Sequence, residues 1–257
     1  MVITEYLYHA PGKNYSPGQM HLRKSALVNA HTLAFFCLRC SMDVDVSLPG
    51  PDGHGGISIH ADTQRIYLWQ CLLHSSPQIV DELRHIEDRY LKNKEDIEAA
   101  LRTGTIFPWA ALTRLQAPKL FSDLVESVLG AIYLDSGGDL DVIRDVLRAM
   151  GIWPILERIV QDDVDVFHPV SRIHQWAQTK FPTWMQQTGG ERLVQFSFER
   201  DKSANTITCT LLVKEEEPFH LTINYHGHAS QDDVKFAVAE LAIGELQLRE
   251  QGEGGHS

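Results

Sequence analysis

The chain has 257 residues, of which 43% are hydrophobic and 22% are charged, values typical of a protein that buries a core. Its net charge of −11 disfavours a grip on nucleic acid by the whole surface, so such binding would need local basic patches or bound metal ions. No apolar run approaches the roughly 18 residues that cross a bilayer, and residues 1–10 lack the pattern of a secretory signal. Four scattered cysteines fit a reducing compartment. We therefore expect no membrane contact and an intracellular location, cytoplasmic or nuclear.

Helical periodicity dominates the first 160 residues, with apolar side chains recurring at three- and four-residue steps. This pattern predicts helices over residues 2–8, 19–40, 63–103, 109–115, 119–134, 140–150 and 153–159. Alternating apolar and polar residues predict one strand pair, over 44–48 and 57–59. Gly137 and Gly138 are expected to end the helix over 119–134, and Asp139 to cap the next one.

The pattern changes after Phe167. A helix over 168–180 is followed by three alternating segments, centred on Phe196, Cys209 and Ile223, and by a last helix over 231–249. The sequence therefore predicts a helical domain over 1–150, an acidic linker over 151–166, an α-β-β-β-α domain over 167–250 and a tail over 251–257.

Two carboxylates lie three residues apart on the strongest predicted helix. Asp123 and Glu126 would share one side of that helix, where they repel each other unless a cation lies between them. Mg²⁺ or Mn²⁺, which prefer oxygen ligands, could be this cation. Lys119, one turn earlier, could instead offset the negative charge of the pair or contact a phosphate. From spacing alone, a solvated helix face is the competing interpretation.

The residues around this pair resemble a known family. Residues 117–138, APKLFSDLVESVLGAIYLDSGG, resemble the second signature segment of ribonuclease III domains. Ser16-Pro17-Gly18 followed by LRKSALVN over 22–29 is similar to the helix after the first signature of that family. With the run His74-Ser75-Ser76-Pro77, the chain is most similar to the second ribonuclease III domain of fungal Dicer-like proteins. Residues 167–249 resemble, more loosely, a double-stranded-RNA-binding domain.

The resemblance implies a mainly α fold, a ribonuclease III-type helical domain followed by a small α+β domain. It also implies Mg²⁺-dependent (or Mn²⁺-dependent) endonucleolytic cleavage of double-stranded RNA in RNA processing or silencing. Asp123 and Glu126 match one catalytic, metal-binding pair, and Lys119 matches a lysine beside the catalytic centre. In the family two such domains pair and each cuts one strand, so a second ribonuclease III domain is expected, in a homodimer or a partner chain.

Four residues are candidates for RNA contact. Arg23, Lys24 and Asn29 match a family segment near the bound duplex, although a solvated helix face explains them equally well. In the small domain, Lys235 alone remains where the family places several lysines at the start of the last helix. Residues 167–249 contain eight Lys or Arg and ten Asp or Glu. Docking onto the helical domain or onto a partner is therefore expected rather than strong RNA binding by this domain alone.

The sequence departs from the family in one important way. The first signature, which holds the other two metal-binding acids, would lie just upstream of Met1. Either the sequence given is truncated or the domain is degenerate, and we expect little cleavage by this chain alone. The alternative function is a catalytically inactive scaffold that binds double-stranded RNA or protein.

A separate C-x-x-C pair, Cys37 and Cys40, falls in an apolar helix with no second pair, which favours buried core cysteines over a zinc site.

Overall fold

Two hydrophobic cores organise the computed structural model, which describes residues 1–51, 57–72, 77–182, 192–214, 216–225 and 231–253. The first core belongs to a helical domain. Its helices are α1 (Val2–Tyr8), α2 (Pro17–Leu27), α3 (Ala30–Arg39), α4 (Pro77–Thr103), α5 (Trp109–Thr113), α6 (Lys119–Asp135), α7 (Leu140–Ala149) and α8 (Ile152–Gln161). Among the described residues, no helix combines the length and apolar character needed to cross a membrane.

Helices α3 and α6 pack along each other at the centre of this domain. The helix predicted over 19–40 is in fact two, because Asn29 ends one and begins the next. Its side-chain oxygen accepts the backbone N–H of Thr32 at 3.0 Å, and its amide nitrogen donates to the carbonyl of Ala26 at 2.8 Å. Asparagine at this position satisfies the free donors of a new helix start, so it favours a break over continuation.

The helix predicted over 63–103 is wrong at its beginning. Strands β1 (Ser41–Pro51) and β2 (Ile57–Tyr67) form an antiparallel ribbon, and a short 3-10 turn (Leu68–Cys71) precedes α4. Polar cross-strand pairs stabilise the extra length. Arg65 donates to Asp43 at 2.9 Å, and Thr63 donates to Asp45 at 3.0 Å. His74, Ser75 and Ser76, part of the run that carries the family resemblance, lie outside the described residues.

The segment expected to be a linker, 151–166, contains α8 and packs into the first core. Trp153, Leu156 and Ile159 are buried, as are Val164 and Val166 beyond the helix. The helical body therefore continues to Val166.

The small domain has the predicted α-β-β-β-α order. Its elements are α9 (Pro169–Lys180), β3 (Val194–Asp201), β4 (Thr206–Val213), β5 (Phe219–Asn224) and α10 (Gln231–Glu253). The strands form an antiparallel sheet in the order β3-β4-β5, and the inward residues of β4 meet α9 and α10 in the second core. The chain is therefore mainly helical with a small α+β domain at its C-terminal end, as predicted.

The two domains join through the first turns of α10, which pack on α5. Phe236 of α10 is 8% exposed and belongs to the core of the helical domain. Its ring lies 4.2 Å from that of His168, 5.6 Å from that of His31 and 6.3 Å from that of Trp109, between ring centroids. The small domain thus inserts one aromatic side chain into its neighbour.

Hydrogen bonds surround this aromatic contact. The backbone N–H of Ala110 donates to Glu240 Oε1 at 3.0 Å, and Thr113 Oγ1 donates to the Asp233 carbonyl at 3.1 Å. Gln116 Nε2 donates to the Asn224 carbonyl at 3.0 Å. Gln116 is buried and has φ of +46°, a conformation that its two-sided hydrogen bonding holds in place. The loop that leads into α6 is therefore tied directly to the small domain.

The two histidines make this junction sensitive to acid. Burial lowers the pKa of His31 and of His168, while Asp232 opposes the shift at both and Lys235 adds to it at His168. Below about pH 6.5 the two histidines bind protons more readily in the unfolded chain than in the folded chain. The free energy of unfolding therefore falls as the pH falls. We expect the double variant His31→Gln/His168→Gln to lose less thermal stability than the wild type between pH 7.5 and 5.5, by a difference on the order of a few degrees in Tm.

The control for this measurement is His21→Gln, which changes an exposed histidine on α2. It should keep the acid sensitivity of the wild type. Equal loss of stability in all three proteins, measured by circular dichroism, would show that the junction histidines are not responsible.

Candidate functional site

Helix α6 divides into a buried side and an open side. Phe121, Ser122 and Val125 are buried, whereas Asp123 is half-buried and Glu126 is exposed. The Ser122 hydroxyl donates to the Lys119 carbonyl at 2.7 Å, which allows this serine to be buried.

Lys119 and Asp123 form an ion pair one helical turn apart. Lys119 Nζ donates to Asp123 Oδ1, and this bond raises the pKa of the lysine, with a smaller contribution from Glu126. The Asp123 side chain is 45% exposed, so its carboxylate remains within reach of solvent. Glu126 is exposed and forms no ion pair with any described residue. The site therefore holds one neutralised carboxylate beside one that is free to bind a cation.

A groove of about 370 Å³ runs past Glu126 between α1, α6 and α7. Lys24 of α2 also lines it, and the rest of its lining is mostly apolar, including Ile3, Leu129 and Ile143. The structure thus brings together Glu126 and Lys24, which are about a hundred residues apart in the sequence. The combination of one acid and one base on an apolar groove is typical of a binding site.

The residues present fit a divalent cation in type. Carboxylate oxygens are the ligands that Mg²⁺ prefers, and this ion often takes only one or two carboxylates and fills its other positions with water and phosphate oxygens. Asp123 and Glu126 meet that minimum. No group of three or more His, Cys, Asp or Glu that could hold a metal occurs in the part of the chain that the structure describes.

The other predicted RNA contacts have structural partners. Arg23 is buried, donates to Asp163 Oδ1 at 2.6 Å and lies over the Tyr15 ring. Asn29 uses its side chain to cap α3. Lys235 lies in the small domain with its ammonium 5.1 Å from the centroid of a phenylalanine ring.

The C-x-x-C pair lies at the end of α3. Cys37 is fully buried, and desolvation raises the pKa of its thiol to about 12. A thiol that stays protonated is a poor nucleophile and a poor metal ligand. Cys37 is thus a core residue, as predicted, while Cys40 is half-buried.

Comparison with known proteins identifies the family. The Ribonuclease III domain family model matches residues 1–137, a range that contains α1 to α6 and the residues Lys24, Lys119, Asp123 and Glu126. The chain therefore belongs to the ribonuclease III family.

The similar proteins are fungal Dicer-like proteins. Dicer-like protein 2 of Coccidioides immitis is 30% identical over 253 residues, which is 97% of this chain and 16% of that protein. Dicer-like protein 2 of Aspergillus terreus is 39% identical over 236 residues, 90% of this chain and 16% of that protein. Dicer-like protein 2 of Aspergillus oryzae is 37% identical over 169 residues, 66% of this chain and 12% of that protein. The chain thus spans about a sixth or less of the length of these relatives.

The ion pair between Lys119 and Asp123 leads to a prediction about cation binding. A cation that binds Asp123 must displace the ammonium of Lys119, so removing that competitor should tighten binding. We expect Lys119→Gln to bind Mn²⁺ about two- to fivefold more tightly than the wild type, and Asp123→Asn to bind it much more weakly. Electron paramagnetic resonance of free Mn²⁺ measures both constants.

The matched control is Arg144→Gln, which removes a similar surface ion pair, with Asp141, on α7. It should leave Mn²⁺ binding unchanged. Wild-type affinity in Asp123→Asn would show that the cation binds elsewhere.

Proposed function

We propose that this chain supplies one half of a ribonuclease III-type active site and cleaves double-stranded RNA with Mg²⁺ or Mn²⁺ when the other acidic pair is provided. The observation that carries the proposal is the arrangement of Lys119, Asp123 and Glu126 on the open side of α6, within the segment that the family model matches. The names of the Dicer-like relatives support it, and a role in RNA processing or silencing follows from the same likeness.

The side chains of this site would have different roles. Asp123 and Glu126 would hold the divalent ion, which when bound polarises a phosphate oxygen and lowers the pKa of a bound water. Lys119 pairs with Asp123, and its ammonium would place positive charge where a phosphodiester approaches. Lys24, which lines the same groove as Glu126, would offer a second cation to the RNA backbone. Arg23 and Asn29 would act indirectly, because they hold α2 and α3 in place.

The open face of α6 would pair with the second ribonuclease III domain. Leu134 is 79% exposed and Leu120 is 40% exposed, and the exposed Ser127, Gly130 and Ala131 lie between them. Small residues allow a partner to approach the helix closely, and exposed leucines gain about 2 kcal/mol each when they are covered. A homodimer or a partner chain would bury this face next to the two carboxylates.

A catalytically inactive scaffold is the second candidate function. It is favoured by the number of acids, because the described residues offer only two carboxylates at the site. Such a scaffold would bind duplex RNA or a protein without cutting. Cleavage in the following experiment separates the two functions.

The cleavage test compares the chain alone with a chimera. In the chimera, a segment that carries the first signature of the family is joined in front of Val2, which supplies a second acidic pair. With Mg²⁺ and labelled duplex RNA, we expect little or no cleavage by the chain alone and clear cleavage by the chimera. Glu126→Gln in the chimera should reduce the rate by at least about a hundredfold, because it removes a cation ligand.

Glu95→Gln, an exposed glutamate on α4, is the control and should cut at the rate of the parent chimera. A chimera that binds duplex RNA but never cuts it would favour the scaffold. Robust cutting by the chain alone that Glu126→Gln abolishes would show that two carboxylates suffice.

The pairing face of α6 is tested by adding charge. Leu134→Glu should weaken self-association of the chain, or association with a second ribonuclease III domain, by at least about tenfold, because a buried unpaired carboxylate is costly. Leu91→Glu, on α4 and 52% exposed, is the matched control and should associate like the wild type. Analytical ultracentrifugation measures both, and equal association of the two variants would place the interface elsewhere.

A further inference from the structure

A crevice of about 580 Å³ opens where α4 and α5 face β5 and α10, at the junction of the two domains. Three cations line its helical side, and we call them the cationic wall: Arg89, Lys92 and Arg114. Arg89 and Lys92 are three residues apart on α4 and so share one side of that helix. In a chain with a net charge of −11, this is the kind of local basic patch that nucleic-acid binding requires.

The cationic wall is only partly neutralised. Lys92 and Arg114 are exposed and form no ion pair within the described ranges. Arg89 donates from Nη1 to Gln116 Oε1 at 3.1 Å, but its Nε and Nη2 are buried without a hydrogen-bond partner among the described atoms. Such donors carry an unfavourable free energy, which an anion at the crevice would relieve after a small movement of the side chain.

Two carboxylates also line the crevice and offset part of this charge, because Asp233 interacts electrostatically with Arg89 and Glu240 with Arg114. Asp233 is buried. Glu240 accepts the backbone N–H of Ala110, and desolvation at the junction raises the pKa of its carboxyl group. The charge that an approaching ligand meets first is therefore that of Lys92 and Arg114.

The opposite side of the crevice is apolar. We call it the apolar wall, and it consists of three side chains of the small domain: Leu221, Ile223 and Leu241. Leu241 is 39% exposed, although it lies next to the junction. A crevice with one cationic and one apolar wall matches a ligand that carries a phosphate beside a flat, weakly polar ring.

We propose that this crevice binds one nucleotide unit, with its phosphate on the cationic wall and its base on the apolar wall. The unit could come from an RNA strand or from a free mononucleotide, which share this chemistry. The inference rests on the proposed function only for RNA as the source, and no residue of α6 lines the crevice. It gives the small domain a part in RNA binding that does not use the lysine positions of its family.

Binding is measured on the full chain carrying Glu126→Gln, in EDTA, so that cleavage plays no part. The probes are uridine 5′-monophosphate and a short 5′-phosphorylated single-stranded RNA. Calorimetry measures the binding of each probe. Lys92→Gln/Arg114→Gln should weaken binding by at least about tenfold, because two phosphate contacts are lost. Arg84→Gln/Arg102→Gln removes the same charge from α4 outside the crevice and should bind like the parent.

A second variant tests the apolar wall. Leu241→Gln should weaken binding of the mononucleotide several-fold and leave binding of inorganic pyrophosphate unchanged, because only the base contacts this wall. Equal effects on both probes would overturn the assignment of the base.

Loss of binding in the Lys92/Arg114 variant for both probes supports the site with either source, and loss for the RNA alone identifies RNA as the ligand. Equal loss in the Arg84/Arg102 control, or binding of neither probe, overturns the proposal. A chimera that cleaves duplex RNA while the crevice binds nothing would leave the proposed function standing without this site. If the crevice binds the probes in a chimera that does not cleave RNA, this site would stand without the proposed function.

Discussion

Burial of one side of α6 is the constraint on which the candidate site depends. Phe121 and Val125 are fully enclosed, so the helix cannot rotate without exposing them. The helical period then fixes Asp123 and Glu126 on the open side, where the two carboxylates would repel each other in the absence of a cation. Lys119 supplies that positive charge for Asp123, while Glu126 keeps its charge available beside the groove. Packing thus determines the geometry of the acids, and the acids determine what the surface can bind.

The junction explains why the start of α10 is acidic. Its first turns are used for contact with α5, through the Asp233 carbonyl, the Glu240 carboxylate and the ring of Phe236. Lysines facing a duplex are not needed on a surface that is covered by another part of the chain. The same contact ties Gln116, and through it the beginning of α6, to the small domain. The small domain therefore supports the candidate site mechanically, whether or not it touches RNA.

Local patterns in the sequence predict most helices and strands, whereas contacts between distant segments could not be predicted from it. The apolar period gave α6 and α7 almost to the residue, and alternation gave the three strands of the small domain. The extension of β2 to Tyr67 was missed because polar pairs such as Arg65 with Asp43, rather than apolar alternation, stabilise it. The acidic pair and Lys119 could be predicted from their spacing and family likeness. The groove that Lys24 and Glu126 both line, and the crevice at Arg89, depend on how distant segments fold together, which no local pattern encodes.

Phe236 has a consequence for how the molecule holds together. By covalent connection it belongs to the small domain, and by packing it belongs to the helical one. If the Phe236 ring leaves its position among the rings of His31, Trp109 and His168, apolar surface becomes exposed on both sides of the junction. Local unfolding of one domain would therefore lower the stability of the other. We therefore expect the stabilities of the two domains to be coupled, and fragments prepared separately would each be incomplete, one without the Phe236 ring in its core and the other with that ring uncovered.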